Sequence, residues 1–359
     1  MNRADADRRA FLASCVFGAG AWVLARRGAA CEPPPGMVHE WAPTRVPHVR
    51  VACGAGGNMV LIVGAGGASA GAGVLVDTCA VPLGPQVRRE CEALAHKVGL
   101  VVSTHHHPEV TGGLRAFTTD TRVVGHEHAR ARVTAQMHRY ISQVKEFLFR
   151  ADETGDAGAR EAVRRDWHAL HARIGSLQPD EFAPTDPLAE ASHEWTVDGR
   201  RVVVLDVPRA IAPMKGAHTD TDLVVLLPDD DVVIAGGLLC HGRHAVIDRD
   251  AGSSVEGWLA ALDVLESKCT DRTLVIPGEG EPGGRELIAW ERAYLTGMRD
   301  AVRRAMGEGA TRQQVRALRP AVGVASADPS ESRLLGSLDS LYDELLPPQT
   351  PNSGGSGKK

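Results

Sequence analysis

Three histidines, His105, His107 and His218, carry the chemistry this chain is best equipped to perform. The pair His105-x-His107 directly follows an apolar run, Leu100–Ser103, which reads as a short buried strand. Alternate residues of an extended segment point to the same side, so both imidazoles can face one ion. A third nitrogen can come from His218, in the loop before a second apolar run, Leu223–Leu227. Three neutral imidazoles with a water in the fourth position make a catalytic zinc arrangement. Such an ion lowers the pKa of its water to about 7 and supplies hydroxide at neutral pH. By itself an HxH pair is weak, because exposed or hydrogen-bonded histidines outnumber ligands.

Other chemistries find little footing. The chain has no GxSxG nucleophile elbow and no GxxxxGK[ST] phosphate loop. Gly64-Ala65-Gly66-Gly67 reads as a hairpin turn and not as a dinucleotide fingerprint. His126, His128, His138, His168 and His171 fall on segments expected to be helical and are assigned no ligand role. Cys53, Cys79, Cys91, Cys240 and Cys269 are irregularly spaced with no CxxC, which excludes a zinc ribbon. Cys79 and Cys91 flank one expected turn and helix start and could approach each other; spacing alone does not pair them.

The elements that must position the histidines come in two similar halves. In the first, strands are expected at His48–Cys53, Asn58–Val63 and Gly73–Asp77, followed by a helix from Gln86 to His96 with Val87, Cys91, Leu94 and Ala95 on one face. In the second, Trp195–Val197, Arg201–Asp206, Leu223–Leu227, Val232–Ala235 and Thr273–Ile276 read as strands. Ser254–Glu266 is an amphipathic helix, and helices at 283–306 and 332–346 close the domain. Residues 127–174 read as a charged helical hairpin broken around Asp152–Asp156. A solvated decoration is the first reading of that insert and a lid over the site the second.

Composition bounds the rest. At 359 residues, 43% hydrophobic and 24% charged, the chain suits one large or two small globular domains. A net charge of −5 without a basic block speaks against nucleic acid as a partner. Residues 1–30 combine Arg8-Arg9-Ala10-Phe11-Leu12, an apolar stretch and a Gly28-Ala29-Ala30 exit, the parts of a twin-arginine export signal. The apolar stretch falls short of the roughly 20 residues a membrane span needs. Passage through the twin-arginine machinery to the periplasm or beyond is therefore expected, with membrane anchoring the alternative if the segment stays uncleaved. Residues 31–47 read as a Pro-rich linker, 48–346 as the folded domain and 347–359 as a disordered tail.

Six words in order carry a resemblance: VLVDT (74–78), STHHHPEVTGG (103–113), GAHTDTD (216–222), VVIAGG (232–237), GRHAVID (242–248) and VIPGEG (275–280). Together they resemble the skeleton of the metallo-β-lactamase superfamily over roughly residues 48–280. The resemblance implies a four-layer αββα sandwich in the α/β class, with the helical hairpin inserted. It implies a zinc site of His105, His107 and His218, and a second-metal site that is almost erased. Glu109 stands where the family motif has Asp, Val110 where it has a second His, Gly237 at the bridging Asp and Glu279 at the final His. Val110 and Gly237 offer no donor atom, so one Zn²⁺ is expected at most.

Glu109 reaches about 1.5 Å further than an Asp, by one bond length, which suits it to act as general base or as a fourth ligand. A solvated loop residue is the plainer reading. By resemblance Asp77 supports the metal loop from behind the ligands, and it also suits a turn beside Thr78. Asp220 and Asp222 both flank His218 closely enough to orient it, and Asp220 is taken as the second such support. His244 resembles a substrate-side residue of members with a GRHPVID word; Cys240, His241 and Glu279 are accessory candidates.

The function so implied is an exported, single-zinc hydrolase. Metal-bound hydroxide would attack a small-molecule ester, thioester, lactone or lactam. The alternative is a catalytically silent ligand- or partner-binding protein on the same fold. A single-iron oxygenase is disfavoured, since the family's iron members use the Asp that is Gly237 here.

Overall fold

A computed structural model describes residues 38–346, except 55–56, 82, 147–156, 215, 321–322 and 325–330. The expected export signal, residues 31–37 of the expected linker, the break at 152–156 and the tail lie outside the described residues; residues 38–47 are not a linker, since Trp41 is buried and Ala42–Pro43 pairs as an edge strand.

The first sheet runs β1 (Ala42–Pro43), β2 (Val49–Gly54), β3 (Gly57–Ile62), β4 (Ala72–Val76), β5 (Lys97–Val102), β6 (Arg122–His126) and β7 (Asp186–Leu188), in that spatial order. The pairs from β1 to β4 are antiparallel, and those from β4 to β7 are parallel. The second sheet holds β8 (Ser192–Val197), β9 (Arg200–Asp206), β10 (Leu223–Leu227), β11 (Val232–Cys240) and β12 (Leu274–Glu279), ordered β12-β11-β10-β9-β8. Only its β11–β12 pair is parallel.

Alternation along the strands explains why two sheets stack. Val60 and Ile62 of β3, with Val74 and Val76 of β4, face Val202, Val204, Val225 and Ile234 of the second sheet. Their neighbours Met59, Leu61 and Leu75 point outward, onto Val87, Cys91 and Ala95 of helix α1 (Gly84–Ala95). On the far side Val224, Val233 and Ala235 meet three helices that appear later in the chain. Residues two apart share a face, so each strand serves two apolar layers at once. The result is the αββα sandwich.

After β5 comes a single turn, α2 (Pro108–Thr111), and after β6 the helices α3 (Ala129–Ala135), α4 (Met137–Glu146) and α5 (Ala157–Ala172). The outer layer of the second sheet is α6 (Val255–Ser267), α7 (Glu286–Gly307) and α8 (Glu331–Leu345). Ser254 caps α6, its hydroxyl accepting from the Gly257 N–H at 3.3 Å.

One assignment is corrected. His126 closes β6 rather than sitting on a helix, and its Nε2 faces Asp206 at 3.3 Å. A two-valine core, Val123-Val124, is enough for a strand here because β5 supplies a parallel partner. Cys79, Cys91, Cys240 and Cys269 are thiols, so the approach of Cys79 to Cys91 forms no bond.

Candidate metal centre

The loop that bears His105 and His107 leaves β5 at its carboxyl end, where parallel strands stop and backbone groups lose their neighbours. Asp77 replaces those partners. It follows β4 in a left-handed conformation (φ 61°), and its carboxylate accepts from the Thr104 N–H and the Thr104 hydroxyl, each at 2.8 Å. Thr104 Oγ1 also lies 3.0 Å from His105 Nδ1. A hydroxyl has one proton, here given to Asp77, so His105 Nδ1 must be the donor in that contact. His105 Nε2 is then left as a bare lone pair, buried and without a partner.

The same logic holds for His218. Its Nδ1 lies 3.3 Å from Asp222 Oδ1, and Asp222 is itself fixed by the Thr219 hydroxyl at 2.8 Å and the Thr219 N–H at 2.7 Å. A carboxylate only accepts, so Nδ1 carries the proton and Nε2 faces away from Asp222. Asp222, not Asp220, is thus the carboxylate that orients His218. Asp220 turns outward to the guanidinium of Arg132, which it meets with both oxygens at 2.9 Å.

His107 completes the cluster. Its Nε2 is buried with no partner, and its Nδ1 lies 3.4 Å from Glu109 Oε1. The three rings are nearly equidistant, with centroids 4.7, 4.9 and 5.1 Å apart, and stand almost mutually perpendicular at 82–88°. One ligand nitrogen from each lies within 4.8 Å of the others. Among the described residues this is the one group of metal-capable side chains so gathered.

Electrostatics favour the ligand form. Burial, and then the mutual repulsion of the rings, hold His105 and His107 well below the usual histidine range. Neutral imidazoles are what a metal needs. Asp77 is pushed up to about 7 by burial, against the two bonds from Thr104. A cation in the cage would draw that value down again. The buried, unpartnered Nε2 atoms of His105 and His107, with the His218 ring beside them, fit a borderline ion such as zinc.

The second-metal side is built differently. Val110 is buried and holds its place through backbone bonds with Thr78. At Gly237 a Cβ would fall 2.3 Å from His218 Nδ1 and 2.4 Å from its Cε1. The His218 ring therefore occupies the space a side chain at 237 would need. Glu279 Oε1 accepts from Arg333 at 2.7 Å, and its Oε2 lies 3.7 Å from Arg243. Both guanidinium groups are buried.

Other candidates go elsewhere. Cys240 is buried, its N–H donating to Glu291 at 2.7 Å, and burial pushes its thiol up. His241 packs edge-on against Trp290, and His244 Nδ1 lies 3.2 Å from the Tyr294 hydroxyl. None of the three belongs to the histidine cluster. Glu109 sits at the rim, its side chain 18% exposed, against His107.

Sequence reasoning missed several neighbours. Trp258 of α6 lies edge-on to His218 at 5.0 Å. His106 is fully buried between the two loop ligands, with Nδ1 2.7 Å from Thr221 Oγ1. Arg132, Arg139 and Tyr140 come from the helices after β6. The threonines of the GAHTDTD word were the available signal for the contact of His106 with Thr221.

No protein-family model matches the chain. It is 28% identical over 108 residues to a type 2 metallo-β-lactamase of Bacteroides fragilis, 30% of this chain and 43% of that protein. It is 25% identical over 243 residues to a linear primary-alkylsulfatase of Pseudomonas sp., 64% of this chain and 43% of that protein. The matched stretch thus spans under half the length of either relative. Among solved structures, the stereoselective inverting sec-alkylsulfatase from Pseudomonas sp. superposes with a TM-score of 0.55 at 18% identity, covering 84% of this chain and 49% of that one.

Proposed function

We propose that this chain, which has the metallo-β-lactamase fold, is a hydrolase holding a single zinc ion on His105, His107 and His218. One observation carries the reading: three buried, near-perpendicular imidazoles converge while the neighbouring second-metal position is filled by the chain itself. A bound zinc ion supplies Lewis acidity and lowers the pKa of a water in its open position.

The remaining work falls to the chain's own groups. Thr104 and Asp222 hold two rings in the donating tautomer, and Asp77 anchors Thr104. Glu109, at the rim, is the general base that takes the proton of the attacking water on its carboxylate. Carboxylic esters, thioesters, lactones and lactams are the substrate classes, and sulfate esters join them because two of the similar proteins are alkylsulfatases. Export by the twin-arginine machinery to the periplasm or beyond belongs to the same proposal and rests on the Arg8-Arg9-Ala10-Phe11-Leu12 pattern. No helix of the described residues is long and apolar enough to cross a membrane.

Elemental analysis of the purified full chain after zinc loading tests the reading, with chelator-sensitive turnover on a panel of esters, lactams and alkyl sulfates. One equivalent of zinc, lost in His107→Ala, is expected. A chain that takes up no zinc overturns it. The residues at 110, 237 and 279 favour the silent ligand-binding alternative if zinc binds and every substrate on the panel survives.

A further inference from the structure

The helices α3 and α4 are tied to all three loops around the histidine cluster, and each tie is a named contact. The Tyr140 hydroxyl, fully buried, donates to the His106 carbonyl at 2.9 Å and lies 2.6 Å from Thr111 Oγ1, so it holds the loop of His105 and His107 between the two rings and again just beyond them. Arg132 grips Asp220, two residues from His218, with Nε 2.9 Å from both oxygens, and reaches the Asp250 carbonyl at 3.1 Å. Arg139 pairs with Asp248 at 2.6 Å, in the loop that follows β11. The helices are themselves seated by Val133, Tyr140 and Val144 against Val81, Leu170 and Phe182.

An interior link runs parallel to this exterior one. His106 Nδ1 lies 2.7 Å from Thr221 Oγ1, which lies 3.3 Å from Thr219 Oγ1, which donates to Asp222 at 2.8 Å. Asp222 then meets His218. Two ligand loops 113 positions apart in the chain are thus joined through the core by hydroxyls and bridged across the surface by helices.

We infer that α3 and α4 form a clamp that fixes the spacing of the two ligand loops, with Arg132 and Tyr140 as its positioning residues. This goes beyond a lid or a decoration, since the contacts are with the ligand loops' own backbone and flanking carboxylate. Groups that orient ligands typically carry tenfold to hundredfold effects on metal affinity. Loops held by such contacts also open less often, which slows amide exchange. The metal part of the inference rests on the zinc reading above; the exchange part does not.

The test uses the full chain and four variants: Arg132→Glu, Arg132→Glu with Asp220→Arg, Tyr140→Phe, and Arg130→Glu as a control. Arg130 is on the same helix but pairs with exposed Asp180, away from the site. Hydrogen exchange of residues 103–113 and 216–222 is read on zinc-free protein, and zinc affinity by competition with a chelator. Arg132→Glu is expected to speed exchange in 216–222 and weaken zinc about tenfold, and the charge swap to restore both. Tyr140→Phe does the same for 103–113, and Arg130→Glu changes neither. Exchange and affinity within twofold of the unaltered chain in both Arg132→Glu and Tyr140→Phe would overturn the clamp. So would a swap that fails to rescue. If the unaltered chain binds no zinc, the single-zinc reading falls while the exchange arm still decides the clamp.

Discussion

The two halves of the site can be set side by side. On one, Nε2 of His105 and of His107 is buried with nothing to bond, and His105 and His218 are turned by a threonine and a carboxylate into the form that accepts a metal. On the other, none of the positions that the resemblance assigns to a second ion keeps a donor waiting. Gly237 has ceded its side-chain space to His218, Val110 is packed away, and Glu279 is held by Arg333 with Arg243 close by. Unsatisfied buried polar atoms are expensive, so a fold keeps them only where something else satisfies them. Under the single-zinc proposal, the difference teaches that the positions where the resemblance puts a second ion are occupied by the chain's own groups.

The sharpest break of this contrast is removal of a ring from the first side. His105→Ala or His218→Ala leaves two nitrogens for an ion that needs three or more protein ligands. Zinc affinity should fall by a factor on the order of a thousand or more, several kcal/mol by the tenfold-per-1.4 rule. Chelator competition checks this, with thermal melting of the zinc-free proteins as the control for folding. Affinity within tenfold of the unaltered chain would mean that the ion sits elsewhere.

The refilled side has a signature of its own in pH. Glu291 is pushed up to about 8 by burial, opposed by the N–H it accepts from Cys240, and its other oxygen has no partner. The folded state therefore keeps a proton that the unfolded chain gives up near its ordinary carboxylate value. Stability from this group is complete below about 4.5, falls as pH rises, and levels off once the folded carboxyl also ionises near 8. At about 1.4 kcal/mol per unit the loss is at most roughly 5 kcal/mol. Asp77, pushed up to about 7, slopes the same way, so the comparison must be with Glu291→Gln. Denaturant melts at pH 5 and pH 9 should show a smaller drop in the variant. Equal drops would place the slope elsewhere.

Placing at 279 the histidine that the resemblance implies tests this side from its charged end. Glu279→His removes the carboxylate that two buried guanidinium groups share. Breaking such a pair costs about 3 kcal/mol, because a carboxylate is withdrawn from beside two buried cations. The loss should appear as a lower denaturation midpoint with no gain in zinc stoichiometry. A variant as stable as its parent would show that Arg333 and Arg243 are held by other partners.

Much of this was legible before any coordinates. The apolar runs of β3, β4 and β10 marked them as strands, and the HxH step after β5 put two rings on one side. What escaped was whatever depends on contacts remote in sequence. Arg132 meets Asp220 across 88 positions and Arg333 meets Glu279 across 54, and nothing local marks either arginine. The choice of Asp222 over Asp220 was hidden for another reason. Both flank His218, and only the turn that makes Asp222 accept from the Thr219 N–H decides which carboxylate faces the ring. β1 and β7, at two and three residues, are too short to show a period at all.

The subtlest prediction asks whether the comparison can be undone by one residue. Gly237→Asp places there the carboxylate that the resemblance implies, on a backbone that is not in the left-handed region, so the chain path is no obstacle. The obstacle is His218, whose ring atoms lie 2.3 and 2.4 Å from where the new Cβ must go. Real Cβ atoms essentially never approach that closely, so the ring has to move off Asp222, and with it the nitrogen the first metal needs. Zinc should bind at one equivalent or less, and about a hundredfold more weakly, the upper range for disturbed ligand orientation. Gly237→Ala separates the two effects, since it adds the clash without a donor. If the alanine variant loses as much affinity as the aspartate, steric displacement of His218 is the cause. If the aspartate variant instead gains a second equivalent of zinc, the position was open all along, and the asymmetry between the two halves is one of ligand chemistry alone.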